Sequence, residues 1–285
     1  MNVPAHTPAR GGNSAELADF VERHPRLFVL SGAGVSTASG IPGYRDREGQ
    51  WQRSPPVALQ EFLGKPAARR RYWARSMMGW PIVARAKPNA AHEALARLEA
   101  NGRIGHVVTQ NVDGLHQRAG SSKVLELHGS IGRVTCLDCG ASYPRSEVQQ
   151  VLLAANAEFE RIAATVAPDG DVDVDTRDLD AFEVPVCVAC GGGLKPDVVF
   201  FGDSVPRERA AAAAKAVDDC DAVLVVGSSL MAYSGFRLCE QADRSGKPIA
   251  AINLGRTRAD PLLAFKVEQS CGEALTALVA QLSVH

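Results

Sequence analysis

The sequence has almost no surplus of charge of either sign: 31 lysines and arginines face 32 aspartates and glutamates over 285 residues, a formal charge of −1. With no net field to draw in a polyanion, direct nucleic-acid binding is not expected, and RRRYWAR at 69–75 is a local basic candidate only. The leading MNVPAHTPARGGN has no apolar core for a secretory signal, and no run approaches the length of a membrane span. Both absences lead to the expectation of a soluble, cytoplasmic protein with no membrane partner. No Gly-Lys-Ser/Thr follows the glycines at 32 and 34, which argues against ATP or GTP chemistry of the P-loop kind. The acidic run APDGDVDVDTRDLD at 167–180 lacks the glycine and terminal glutamate of an EF-hand, so it reads as surface rather than as a calcium site. No internal repeat is visible.

Enough apolar residues are present for a real core, at 46% of the chain, and the length allows a main domain with a smaller lobe. Short apolar runs at 27–30, 105–109, 123–127, 197–201, 221–226 and 248–252 alternate with helical stretches, which predicts a parallel sheet covered on both faces. Asn13 with Glu16 begins a first helix, and KPNAAHEALARLEANG reads as another, ended by Asn101-Gly102. Helical pieces are expected at 56–63 and 66–79, crossover helices at 207–219 and 234–246, and a last helix capped by Ser270 and Glu273. Residues 1–13 read as a flexible tail.

LFVL at 27–30 runs into GAGVSTASGIPGYRD at 32–46. Glycines after a buried strand let a diphosphate approach the backbone, although GAG alone also describes an ordinary tight turn. TQNVDGLH at 109–116, GSSL at 227–230 and NLG at 253–255 sit just past the ends of other apolar runs. Ligands of open α/β sheets bind at such ends, so these stretches point to one cleft, with adenine and ribose near Ser228, Asn253 and Leu254. The acidic strand residue that a dehydrogenase places about 20 residues after its glycines is missing, which disfavours hydride transfer.

Seven cysteines include CLDC at 136–139 and CVAC at 187–190, each running into glycine. Two such knuckles bring four thiolates to one closed structural zinc site, with a redox or iron–sulfur centre as the remaining reading. A full thiolate shell has no open position for water, so the metal would hold a lobe together rather than catalyse. Cys220 and Cys239 read as ordinary buried thiols, and Cys271 can offer its backbone N–H to a ligand.

The glycine stretch, TQNVDGLH, LHG at 127–129, the cysteine pairs, KPDVVFFGD at 195–203, GSSL and INLG together resemble the sirtuin family of NAD-dependent protein-lysine deacylases, over about residues 14–282. RYWARSMMGWP, CLDCG, APDGDV and SSLMAYSGFR look closest to the class II branch with its mitochondrial sirtuin 4-type members, here in a bacterial relative. The resemblance implies a Rossmann-like core (14–46, 88–130 and 195–282), a helical module (47–87) and a zinc-ribbon lobe (131–194). It implies NAD held by Gly32, Ala33, Gly34, Ser39 and Ile41, and a mobile loop carrying Tyr44, Arg45 and Asp46. Gln110, Asn111 and Asp113 would surround the nicotinamide, with Asp113 holding its carboxamide. Gly227, Ser228, Ser229, Asn253, Leu254, Gly255 and Cys271 would line the adenosine end. Zinc falls to Cys136, Cys139, Cys187 and Cys190.

His128, alone a plausible turn residue, becomes in that HG context the acid–base group, with Asn111 and Asp113 completing the catalytic set. His116 reads as a helix-face or cleft-rim residue, and His92 and His106 as structural. The implied reaction starts with attack of an acyl-lysine carbonyl oxygen on the nicotinamide ribose. His128 then helps a ribose hydroxyl attack the acyl carbon, and water leaves free lysine and O-acyl-ADP-ribose. The peptide would lie between Val199, Phe200, Phe201 and Gly202 on one side and Met231 on the other, by strand addition. Tyr72 and Arg75, three apart on a helix, resemble the Tyr-x-x-Arg pair of desuccinylating sirtuins and suggest a longer or acidic acyl group; the alternative is Tyr72 packed in the helical module with Arg75 solvated. Protein ADP-ribosylation by the same NAD cleavage is the alternative. The residues leave the oligomeric state open and are compatible with a monomer.

Overall fold

Leu27–Ser31 is buried at every position, and around this strand the rest of the molecule is laid out. The computed structural model describes residues 8–52, 56–161, 165–166, 172–173 and 179–283. The acidic segment of 167–180 therefore lies mostly outside the described residues, as does the start of the tail. In chain order the strands are β1 (Leu27–Ser31), β2 (Ile104–Thr109), β3 (Val124–Glu126), β4 (Gly129–Cys136), β5 (Ser142–Pro144), β6 (Thr165–Val166) and β7 (Val172–Asp173). They continue with β8 (Leu194–Val198), β9 (Ala222–Val226), β10 (Ile249–Ile252) and β11 (Phe265–Val267). The helices are α1 (Ser14–Arg23), α2 (Leu59–Gly64), α3 (Pro66–Arg85), α4 (Ala90–Ala100), α5 (Leu115–Arg118), α6 (Arg145–Ala155), α7 (Arg207–Asp218), α8 (Tyr233–Arg244) and α9 (Cys271–Leu282).

Among the described residues six strands form a parallel sheet in the order β11-β10-β9-β1-β2-β3. Successive side chains on a strand point to opposite faces, so each strand feeds two cores. Leu27, Val29 and Leu224 meet Leu17, Leu95 and Leu278 of α1, α4 and α9. Phe28, Leu30 and Val225 meet Val217 and Leu238 of α7 and α8 on the other face. Full burial of such a side chain contributes about 1.5–3 kcal/mol, which is why both layers are closed. The chain moves outward from β1 in one direction through β2 and β3, and in the other through β9, β10 and β11. A crevice opens at that reversal, between β1 and β9.

Helix entries follow local chemistry. The Asn13 side chain accepts from Glu16 N at 3.0 Å, and Ser270 Oγ from Glu273 N at 3.3 Å. Asn89 and His92 form a reciprocal capping box at the start of α4. The helix expected at 66–79 continues through Pro81 to Arg85.

The Val-rich run near 197 does not join the parallel sheet as expected. Its first two residues, Asp197 and Val198, end β8, which runs antiparallel to β4 at the edge of a second sheet ordered β5-β4-β8. Pro196 lacks an N–H and fits such an edge strand. Trp73 of α3, Val148 and Leu152 of α6, and Val134 of β4 share the core beneath this sheet. The edge strand β11 carries only three residues and gave no run long enough to read. Among the described residues no helix is long and apolar enough to cross a membrane.

Candidate active site

The loops after β1 and β9 press on each other at the crevice. Gly34 N donates to Gly227 O at 2.8 Å, and a Cβ added to Gly34 would lie 2.8 Å from that same oxygen. A Cβ on Gly32 would meet Ser228 Cβ at 2.7 Å, and Gly227 sits at φ +60 with Val35 N in the way of any side chain. Their lack of side chains thus lets two loops meet, in addition to leaving backbone open to a ligand. Beyond them lies a cleft of about 1080 Å³.

Gly32, Ala33, Gly34, Ile41, Tyr44, Arg45, Asp46, Gln110, Asn111, Asp113 and His128 line it, with Gly227, Ser228, Ser229, Asn253, Leu254 and Cys271. Val199, Phe200, Phe201, Gly202 and Met231 line it as well. Ser39 stands behind the wall, accepting from Asn89 Nδ2 at 2.8 Å, and Gly255 lies against the backbone of Arg47. Tyr72 is not on the lining: it is buried, its ring 5.1 Å from that of Phe200, and Arg75 is half-buried further along α3.

The polar floor is a connected network. Ser36 Oγ donates to Asp113 Oδ2 at 2.7 Å and accepts from Asn111 Nδ2 at 3.0 Å, while Asp113 Oδ1 accepts from Leu115 N at 2.9 Å. Asn89 N–H donates to His92 Nδ1 at 3.3 Å, which leaves the His92 proton on Nε2, 3.5 Å from Ser36 Oγ. Burial lowers the His92 pKa, with Asp113 pulling the other way. Beside it His116 is buried rather than at the rim: Ser31 Oγ lies 2.8 Å from Nε2, and burial lowers its pKa to about 3.

His128 is held from two sides. Its Nδ1 lies 3.0 Å from Gln110 O, an acceptor only, so Nδ1 carries the proton. Its Nε2 lies 2.8 Å from Ser234 Oγ. Burial pushes the imidazole below its ordinary pKa, and the Gln110 carbonyl opposes that shift. Gly129 follows at φ +84 against the Asp197 carbonyl, where a side chain would not fit, which explains the HG pair.

Tyr44, Trp51 and Phe201 make an edge-on aromatic cluster over the cleft, Trp51 and Phe201 with centroids 5.3 Å apart. The Arg45 guanidinium stacks 4.0 Å from the Trp51 centroid and donates to Gly49 O at 2.8 Å. Asp46 Oδ1 accepts from Glu48 N and Gln50 N, which folds this loop on itself. Arg256 N donates to Arg47 O at 2.8 Å, tying the loop to the segment after β10. The start of α9, at Ser270, Cys271 and Gly272, faces the cleft with its N–H groups and positive dipole end. Glycine-backed loops, a helix N-terminus and a long cleft at the sheet's reversal fit a dinucleotide.

Cys136, Cys139, Cys187 and Cys190 bring their sulfurs within 4.8 Å of one another. The pairs Cys136–Cys190 and Cys139–Cys187 lie at 3.6 and 3.7 Å. Tetrahedral zinc–thiolate bonds of about 2.3 Å imply sulfur edges of roughly 3.8 Å, so the set fits zinc. Cys220 and Cys239 are buried apart from it.

Ser36, Asn89, Trp51 and Ser234 escaped the sequence reading. Ser36 stands inside GAGVS and was within reach of it; the pairing of Ser234 with His128 spans 106 residues and left no local signal.

The Sir2 family model matches residues 32–234. An NAD-dependent protein deacetylase 2 of Bradyrhizobium diazoefficiens is 57% identical over 263 residues, 92% of this chain and 96% of that protein. An NAD-dependent protein deacetylase of Xanthomonas campestris pv. campestris is 58% identical, over 92% of this chain and 89% of that protein. Among solved structures, a Sir2–p53 peptide–NAD+ complex superposes with TM-score 0.77 at 29% identity, covering 96% of this chain and 100% of the other. Sir2Tm bound to a propionylated peptide gives TM-score 0.76 at 30% identity, with 96% and 100% coverage.

Proposed function

The chain belongs to the Sir2 family, and on that premise we propose that it removes acyl groups from protein lysine side chains, consuming NAD as a co-substrate. One observation carries the reading: a neutral imidazole, His128, is fixed by the Gln110 carbonyl and faces a glycine-backed cleft at the β1/β9 crevice. His128 is the base that takes a proton from a ribose hydroxyl, and an imidazole suits that task near neutrality.

Asp113 and Asn111, oriented through Ser36, hold the nicotinamide end, and Gln110 borders it. The stretch from Gly32 to Gly34 and the start of α9 receive the diphosphate, with Arg45 approaching it from the loop. Ser228, Asn253 and Leu254 take the adenosine. Tyr44, Trp51 and Phe201 close the cleft above and exclude water from the sugar. The four cysteines hold zinc as a brace of the smaller lobe, away from the reaction.

The acyl-lysine peptide enters between Phe201 and Met231. Acetyl is accepted, and a longer or acidic acyl chain reaches toward Tyr72, whose ring packs on Phe200, and toward Arg75 on the same helix. In finer terms this is a class II member of the sirtuin 4 type acting in a bacterial cytoplasm, where thiolate ligands stay reduced. SSLMAYSGFR and LKPDVVFFGD support that branch. A panel of acyl-lysine peptides incubated with NAD, followed by product mass, tests the activity. Free lysine with O-acyl-ADP-ribose supports it, and ADP-ribose retained on protein contradicts it.

A further inference from the structure

An imidazole nitrogen without a proton has one in-plane lone pair, and on His128 that nitrogen is Nε2. Because Nδ1 donates to Gln110 O at 3.0 Å, the contact of 2.8 Å between Nε2 and Ser234 Oγ has one sense: the hydroxyl donates and Nε2 accepts. The position through which a base would take a proton is therefore already filled by a protein hydroxyl. Ser234 stands in the first turn of α8 and lines the same cleft. Gly235, next to it, is pressed so closely to Gln110 that an added Cβ would lie 2.7 Å from Gln110 Oε1. One residue, Gln110, thus sets both the tautomer of His128 and the approach of α8.

We propose that Ser234 relays the proton between the ribose hydroxyl of the co-substrate and Nε2 of His128. The ribose O–H bond breaks as its proton passes to Ser234 Oγ, and the Ser234 O–H bond breaks as that proton passes to Nε2. Serine ends the step neutral with a new O–H bond, the imidazole gains one N–H bond and one positive charge, and the ribose oxygen keeps the electron pair with which it attacks the acyl carbon. This rests on the reading of His128 as the base.

The test uses the full chain as Ser234→Ala, Ser234→Thr and His128→Ala, with thermal melts to establish folding. The first readout needs no substrate: the titration of His128, followed by the 15N shifts of its ring in the ligand-free protein. A donated hydrogen bond favours the neutral ring, so Ser234→Ala is expected to move the midpoint to higher pH, and Ser234→Thr to restore it. The second readout is deacylation turnover against exchange of labelled nicotinamide, a step that precedes proton removal. Ser234→Ala is expected to lower turnover roughly tenfold relative to exchange, a part of the usual 10²–10⁴-fold of an acid–base group, with Thr recovering most of it. Parent turnover in Ser234→Ala overturns the relay, whether or not the His128 titration moves. Loss of turnover equal in the Ala and Thr variants also overturns it, since a hydroxyl would then not be the working part. Parent turnover in His128→Ala instead removes the base assignment itself, so the two failures are separable.

Discussion

Ser36 Oγ donates to Asp113 Oδ2 at 2.7 Å, joining the turn after β1 to the loop after β2 across the floor of the cleft. The same oxygen accepts from Asn111 Nδ2 at 3.0 Å, so one hydroxyl orients both side chains assigned to the nicotinamide end. Hydrogen bonds to a charged group contribute about 1.5–3 kcal/mol, and Ser36→Ala is therefore expected to weaken NAD binding by roughly ten- to a hundredfold. Calorimetric titration of NAD into the folded variant measures this directly. An unchanged dissociation constant would detach Ser36 from the nicotinamide end.

The four-cysteine cluster leads to one zinc per chain, with sulfur edges of 3.6 and 3.7 Å already set for a tetrahedron. Replacing Cys187 and Cys190 by Ser should abolish bound zinc and lower the melting temperature, because the binding energy of a structural site is folding energy. Elemental analysis with a thermal melt checks both. A fully folded double variant that still retains one zinc would sink the assignment.

His116 makes stability depend on pH. Its folded pKa is lowered to about 3, by burial first and by His92 second. An unfolded histidine titrates at about 6.5, so between these values the unfolded chain holds more protons and acid favours unfolding. The contribution is complete above about pH 6.5 and is lost as pH falls below it, at up to about 1.4 kcal/mol per pH unit. His116→Gln, which keeps a polar partner for Ser31, should flatten the fall in melting temperature between pH 7 and pH 5. An identical slope in the variant would remove His116 as the source.

Much of the frame could be read from residues with local consequences. LFVL announces a strand buried on both faces, Asn13 and Ser270 announce helix starts, and CLDC with CVAC announces a shared metal. What local pattern does not carry is partnership at a distance. DVVFF looks equally suited to either sheet, and β8 takes the antiparallel edge beside β4, where Pro196 is tolerated. Gly32 and Gly34 are visible as glycines, but their need for Gly227 and Ser228 as neighbours is a tertiary fact. His116 sits in a polar stretch, and only the packing of Ser31 and His92 shows it to be interior.

The proposed acyl preference is tested at Arg75. A guanidinium can pair with a carboxylate in a way that Met cannot, so Arg75→Met should reduce turnover of succinyl- and glutaryl-lysine peptides about tenfold more than acetyl-lysine peptides. The four peptides to compare are acetyl, succinyl, glutaryl and branched glutaryl forms of one sequence. An equal loss across neutral and acidic acyl groups shows the arginine to be a structural part of α3, and the acidic-pocket reading falls.

Deacylation through His128 is tested most sharply by the masses of all products when an acetyl-lysine peptide and NAD meet the protein and its His128→Ala variant. Deacetylated peptide, nicotinamide and O-acetyl-ADP-ribose are expected in equal amounts, with turnover reduced roughly 10²–10⁴-fold in a variant that melts as the parent does. ADP-ribose on the protein without deacetylated peptide, or parent-like turnover in His128→Ala, would contradict it.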